Sequence, residues 1–150
     1  AVSQVQLGAG GNLTSVFLNA TPGFAGHLWL TAQFTGGSGA ALWRSTDGGS
    51  SWRRVQLPRG QYYIPKNISL GAPKEKGLYP TIYVELWGGW GTASRLFFSA
   101  NEGTTWEIFG KTGSRADLPP SCQVAEIQSF TADWDLFGQL YLCTSGSGFA

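Results

Sequence analysis

The chain has 150 residues, enough for one domain with a sizeable core and too few for a multidomain enzyme. Charged residues make up 13%, about half the usual ~25% share, and 22 glycines argue against long helices, while 7 Trp, 5 Tyr and 9 Phe exclude the aromatic-poor profile of a disordered chain. With a net charge of +1 and scattered Lys and Arg there is no basic stripe, and no apolar run reaches the ~20 residues of a membrane span, so neither nucleic acid nor membrane insertion is expected.

Short runs rich in Val, Ile, Phe, Tyr and Trp alternate with Gly, Ser, Pro and Asn clusters, and helical periodicity is absent. The predicted strands are Ser15–Leu18, His27–Phe34, Ala41–Ser45, Trp52–Gln56, Tyr63–Leu70, Thr81–Leu86, Arg95–Ser99, Trp106–Phe109, Glu126–Thr131 and Gln139–Thr144. An internal repeat orders them. The run Leu42 to Trp52 (LWRSTDGGSSW) recurs as Leu96 to Trp106 (LFFSANEGTTW), an offset of 54 residues. Such a period, near the ~40 to 50 residues of one four-stranded unit, is what propeller blades produce. The expected fold is all-β, with four-stranded blades over 14–56 and 63–109 and a partial blade over 126–149. That is about two and a half blades in a single module.

Both copies fit Ser-x-Asp/Asn-x-Gly-x-Ser/Thr-Trp, the Asp-box, through Ser45, Asp47, Gly49 and Trp52 and through Ser99, Asn101, Gly103 and Trp106. The pattern predicts a hairpin turn in which Asp47 or Asn101 accepts backbone N–H groups, Gly49 or Gly103 takes positive φ, and the Trp packs into the blade. Its role is structural, so Asp47 is not assigned to catalysis.

The segment Asn67 to Lys74, then Tyr79 to Tyr83 and the second Asp-box, resembles the C-terminal portion of the glycoside hydrolase family 74 xyloglucanases. The tail, Ala132-Asp133 and Phe137 to Gly148, is similar to the closing segments of that family, and residues 14–56 resemble a preceding blade more generically. The resemblance implies two large propellers in the full-length enzymes, with catalytic aspartates upstream of the matching stretch, so no residue here inherits a catalytic role. Trp134 stands where the family has Pro, Ser147 where it has Arg, and Asn101 replaces the second box aspartate.

If each blade runs from inner to outer strand, the Asp-box turns lie on one face and the inter-blade loops on the other. On that second face Trp87, Trp90, Tyr62 and Tyr63 are candidates to stack on sugar rings, flat apolar surfaces with little rotamer entropy to lose. Packing of both indoles between blades or subunits is the alternative. Glycoside hydrolysis needs two carboxylates ~5 to 9.5 Å apart. Of the nine acids, Asp47, Glu102, Asp133 and Asp135 belong to turns on the opposite face, Glu75 to a surface Lys-Glu-Lys, and Glu107 and Glu126 to strands, which leaves Glu85 and Asp117 as the one conceivable pair, more simply read as solvated loop charges. His27, the single histidine, has no triad or metal-ligand companions, so a surface or packed role is expected, with no metal and no cofactor.

Three sequons (Asn12, Asn19 and Asn67), together with Cys122 and Cys143, point to an extracellular, secreted glycoprotein. A Cys122–Cys143 disulfide would close a 22-residue loop worth about 3 kcal/mol, two separate thiols being the alternative. The chain starts at Ala1 and contains no methionine, as expected of a processed mature polypeptide. An incomplete propeller leaves sheet faces and edges exposed. Completion is expected from a homo-oligomer, a filament or a companion propeller chain. The expected function is glycan binding or self-assembly without independent catalysis; part of a xyloglucanase-like hydrolase and a structural subunit of an extracellular polymer are the alternatives.

Overall fold

A computed structural model describes residues 12–35, 40–58, 64–87, 94–110, 127–144 and 148–149. Every described element is a β-strand. The first sheet holds β1 (Leu13–Ala20), β2 (Leu28–Phe34), β3 (Ala41–Ser45) and β4 (Arg53–Val55). The second holds β5 (Ile64–Gly71), β6 (Thr81–Trp87), β7 (Arg95–Ser99) and β8 (Glu107–Ile108), and the third holds β9 (Ile127–Ala132), β10 (Leu140–Thr144) and β11 (Gly148–Phe149). All pairings are antiparallel, in the orders β1-β2-β3-β4, β5-β6-β7-β8 and β11-β10-β9. The ten predicted strands all occur, with ends displaced by at most two residues, and β11 is an unpredicted addition.

The sheets stack face to face through their first strands. β5 packs against β1, β2 and β3 on one side and against β9 on the other. The second sheet is therefore covered on both faces, which is why Thr81–Leu86 is buried at every position instead of alternating. Trp29, Leu42 and Val55 meet Ile68, Leu70, Tyr79 and Ile82 across the first interface, and Tyr83 and Leu96 meet Ile127, Phe130, Leu140 and Leu142 across the second. Gly71 allows the closest approach. A Cβ placed there would lie 2.5 Å from the Cβ of Ala132 and 2.7 Å from the carbonyl oxygen of Asp133.

At the outer ends of the stack the covering stops. Leu13, Val16, Phe17 and Leu18 of β1 are exposed at one end, and Trp134, Leu136, Phe137 and Tyr141 at the other. Among the described residues no further sheet lies against β1 or β10 at these positions, and Trp134, Leu136 and Phe137 belong to the β9–β10 turn.

Candidate functional site

Each sheet has two ends. The β1–β2 turn and the β3–β4 Asp-box turn share one end, joined by the Gly48 N–H donating to the Gly26 carbonyl at 3.0 Å. In the first box, Ser45 Oγ accepts the Gly49 N–H at 2.9 Å, Asp47 Oδ1 accepts the Ser51 N–H at 2.9 Å, and Trp52 Nε1 donates to the Gly49 carbonyl at 3.0 Å. The second box repeats the design with an amide: Gly103 N–H to Ser99 Oγ and Thr105 N–H to Asn101 Oδ1, each 2.9 Å. Gly49 and Gly103 sit at φ 89° and 77°, a conformation that L side chains adopt only with strain. Asn thus replaces Asp because the turn needs a short acceptor and not a charge. Trp106 does more than fill its own sheet, since its Nε1 donates to the Gln56 carbonyl of the preceding one.

These bonds decide what the carboxylates can do. The Ser51 hydroxyl, then the Ser51 N–H and the Ser45 hydroxyl, lower the Asp47 pKa from 3.8 to about 2. Asp133 is lowered in the same way by the Asp135 N–H, the Tyr141 hydroxyl and the Leu136 N–H. Both stay ionised at neutral pH, so neither can act as a general acid. Glu102 forms an ion pair with Arg44, whose buried guanidinium lies 5.4 Å from the Trp29 ring and 5.5 Å from the Tyr79 ring. Glu85 requires a correction. It is not a solvated loop charge but 1% exposed within β6, accepting the Asn67 Nδ2–H at 2.6 Å. Asp117, its conceivable partner, lies outside the described residues.

The Asn67 sequon also needs correcting. Asn67 is 4% exposed between the second and third sheets, and a glycan on Nδ2 would displace Glu85 and the neighbouring sheet. Asn19 Nδ2 donates to the Ile68 carbonyl at 3.1 Å, while Asn12 is exposed. His27 is half-buried and packed: Nδ1 lies 3.3 Å from the Tyr79 hydroxyl, and the ring stacks at a tilt on Phe24 and Tyr79. Tyr79 also accepts from Trp29 Nε1 at 3.0 Å and bonds Thr21 Oγ1 at 3.1 Å, which makes it the polar centre of the first interface. Sequence reasoning missed this cluster and the Arg44–Glu102 pair; their members are separated by about a blade's length, and the internal repeat gives no signal for the pair, since Phe98 stands at the position equivalent to Arg44 and Gly48 at that equivalent to Glu102.

At the opposite end of the sheets, Trp87 is half-buried as the last residue of β6, opposite Ile64 of β5. Trp90, Tyr62, Tyr63 and Cys122 lie outside the described residues, and Cys143 of β10 is half-buried with a free thiol among the described ones. Among the described residues no group of three His, Cys, Asp or Glu side chains is placed to hold a metal ion. Among the described residues no helix is long and apolar enough to cross a membrane.

The stacking of these sheets has a solved counterpart. The GH74 enzyme of Niastella koreensis superposes on 89% of the chain with a TM-score of 0.62 and 22% identity. The three sheets are propeller blades. A curated xyloglucanase from Paenibacillus is 26% identical over 131 residues, and together these matches establish a family 74-like relationship. No family model matches the chain. The chain spans 11% of the length of the Paenibacillus protein and 17% of the Niastella chain, so it corresponds to a small part of either.

Proposed function

We propose that the chain is an extracellular propeller segment that presents a carbohydrate-binding surface and does not hydrolyse glycans by itself. The observation that carries this reading is the position of Trp87, at the sheet end opposite both Asp-box turns, in a chain similar to a xyloglucanase. An indole there offers a flat face to a pyranose ring. Support for the non-catalytic half comes from the described carboxylates: Asp47 and Asp133 are engaged by turns, Glu102 by Arg44, and Glu85 is buried against Asn67. The short span relative to the matched enzymes favours a second reading, a piece of a longer hydrolase whose reacting groups lie elsewhere.

The test is titration of the chain with xyloglucan oligosaccharides by calorimetry, alongside a reducing-sugar assay on the polymer. Trp87→Ala is expected to weaken binding at least tenfold with the fold retained, and the polymer to stay intact. Unchanged affinity in Trp87→Ala and Trp90→Ala refutes the binding surface, and oligosaccharide release refutes the non-catalytic half.

A further inference from the structure

We infer that Arg44 of the first blade and Glu102 of the second form a charge-operated latch. Their ion pair holds the second Asp-box turn in a conformation that its own sequence disfavours, so the turn keeps its shape only while the seam between the two blades is closed. Both partners lie at an internal seam, and the device depends neither on what covers the outer flanks nor on glycan binding. The two boxes correspond position for position at the offset of 54 residues. Three of their four left-handed positions are glycine: Gly48, Gly49 and Gly103, at φ 71°, 89° and 77°. The fourth is Glu102 at φ 59°, the one non-glycine residue with positive φ among the described residues. A residue with a Cβ is disfavoured there by about fivefold or more. Glycine serves at the equivalent Gly48, so nothing within the turn calls for a glutamate.

The reason lies across the seam. Arg44 on β3 is 8% exposed, with its guanidinium over the rings of Trp29 and Tyr79. Its Nη2 lies 3.5 Å from His27 Nδ1, and its Nε has no hydrogen-bond partner among the described residues. A buried cation so poorly supplied with acceptors is costly until a carboxylate meets it, and Glu102 reaches in from a half-open position to do so. The rest of the second turn is seated on blade one as well. A Cβ at Gly103 would lie 3.0 Å from Val55 and 3.1 Å from Trp29, and Trp106 Nε1 donates to the Gln56 carbonyl at 3.0 Å. The first box is tied differently, through the Gly48 N–H to the Gly26 carbonyl of its own blade at 3.0 Å. The first turn is therefore relaxed and held from within, whereas the second is strained and held from outside. Loss of either charge frees the second turn and leaves the first in place.

Amide hydrogen exchange followed by NMR on the full chain tests this, because each box reports separately. The Gly49 and Ser51 N–H groups report the first, and those of Gly103 and Thr105 the second. Arg44→Met keeps an apolar stem against the aromatic rings. It is expected to speed exchange about tenfold or more at Gly103 and Thr105, and less than about twofold at Gly49 and Ser51. Adding Glu102→Gly to Arg44→Met should slow the second box again by about fivefold, because the turn relaxes. The same Glu102→Gly in the native chain should instead speed it, because there it also breaks the ion pair. Glu102→Ala should exchange about fivefold faster than Glu102→Gly at the second box, since both lack the pair and only alanine strains the left-handed backbone. Equal acceleration of both boxes in Arg44→Met, or no rescue by Glu102→Gly, overturns the latch. Should Arg44→Met not fold, equal rates in Glu102→Ala and Glu102→Gly overturn it.

Discussion

Replacing Gly71 with alanine isolates the contact that sets how closely blades two and three approach. The φ of Gly71 lies outside the left-handed region, so a methyl group costs no backbone strain there, and the reduced freedom of the unfolded chain favours alanine by about 0.4–1 kcal/mol. Against this, the new Cβ meets the Ala132 Cβ at 2.5 Å and the Asp133 carbonyl at 2.7 Å, and neither neighbour is a flexible side-chain tip that can swing aside. β9 must withdraw by about an ångström, overpacking that costs roughly 1–3 kcal/mol. Withdrawal stretches two bonds that straddle the site, Ala72 N–H to the Asp133 carbonyl at 2.7 Å and Ala132 N–H to Ser69 Oγ at 3.0 Å. At about 1 kcal/mol each they bring the net loss to about 2–4 kcal/mol, readable against a total stability of ~5–15. Equilibrium urea unfolding is the assay, with Gly77→Ala as control: its φ of 88° strains alanine, but no atom lies within 4 Å. A Gly71→Ala cost equal to or below that of the control would refute the close-approach argument.

Two further outcomes are expected. The Asp-box glycines separate strain from crowding: Gly49→Ala meets nothing nearer than 3.5 Å and should cost about 1 kcal/mol, whereas at Gly103 the Cβ meets Val55 at 3.0 Å and Trp29 at 3.1 Å. Gly103→Ala should therefore lose roughly 2–4 kcal/mol in the same unfolding assay. Asp47, with its folded pKa depressed to about 2 from 3.8, contributes stability that is present above its ordinary pKa and disappears as pH falls through that window. Asp47→Asn, which installs the acceptor already used at Asn101, should flatten that part of the acid unfolding profile, and an unchanged profile would show that the carboxylate charge is immaterial.

Much of this architecture was legible in local signals. The Asp-box dictates its own bonds within eight residues, so Ser45, Asp47, Gly49 and their repeats at Ser99, Asn101 and Gly103 were readable without a partner sheet. Strand runs such as Ala41–Ser45 and Arg95–Ser99 were bounded by the same motif and match in full. What escaped depends on neighbours a blade away. Glu85 falls inside a predicted strand, but only the arrival of β9 and Asn67 over that face makes it buried, and the Asn67 sequon fails for the same reason. Arg44 and Glu102 are 58 positions apart and meet through the angle between two sheets, which no periodicity encodes. Of the aromatic stacking residues, only Trp87 falls among the described residues.

The wedge between neighbouring blades also follows from side-chain size. Where blades two and three come nearest, the facing residues are Gly71 and Ala132, whereas between blades one and two Leu57 and Trp106 pack on the core and the Trp106 indole reaches the Gln56 backbone. Small residues at one seam and large ones at the other act as spacers of different thickness. Enlarging Gly71 or trimming Trp106 would shift one sheet against the next before it changed the fold of either.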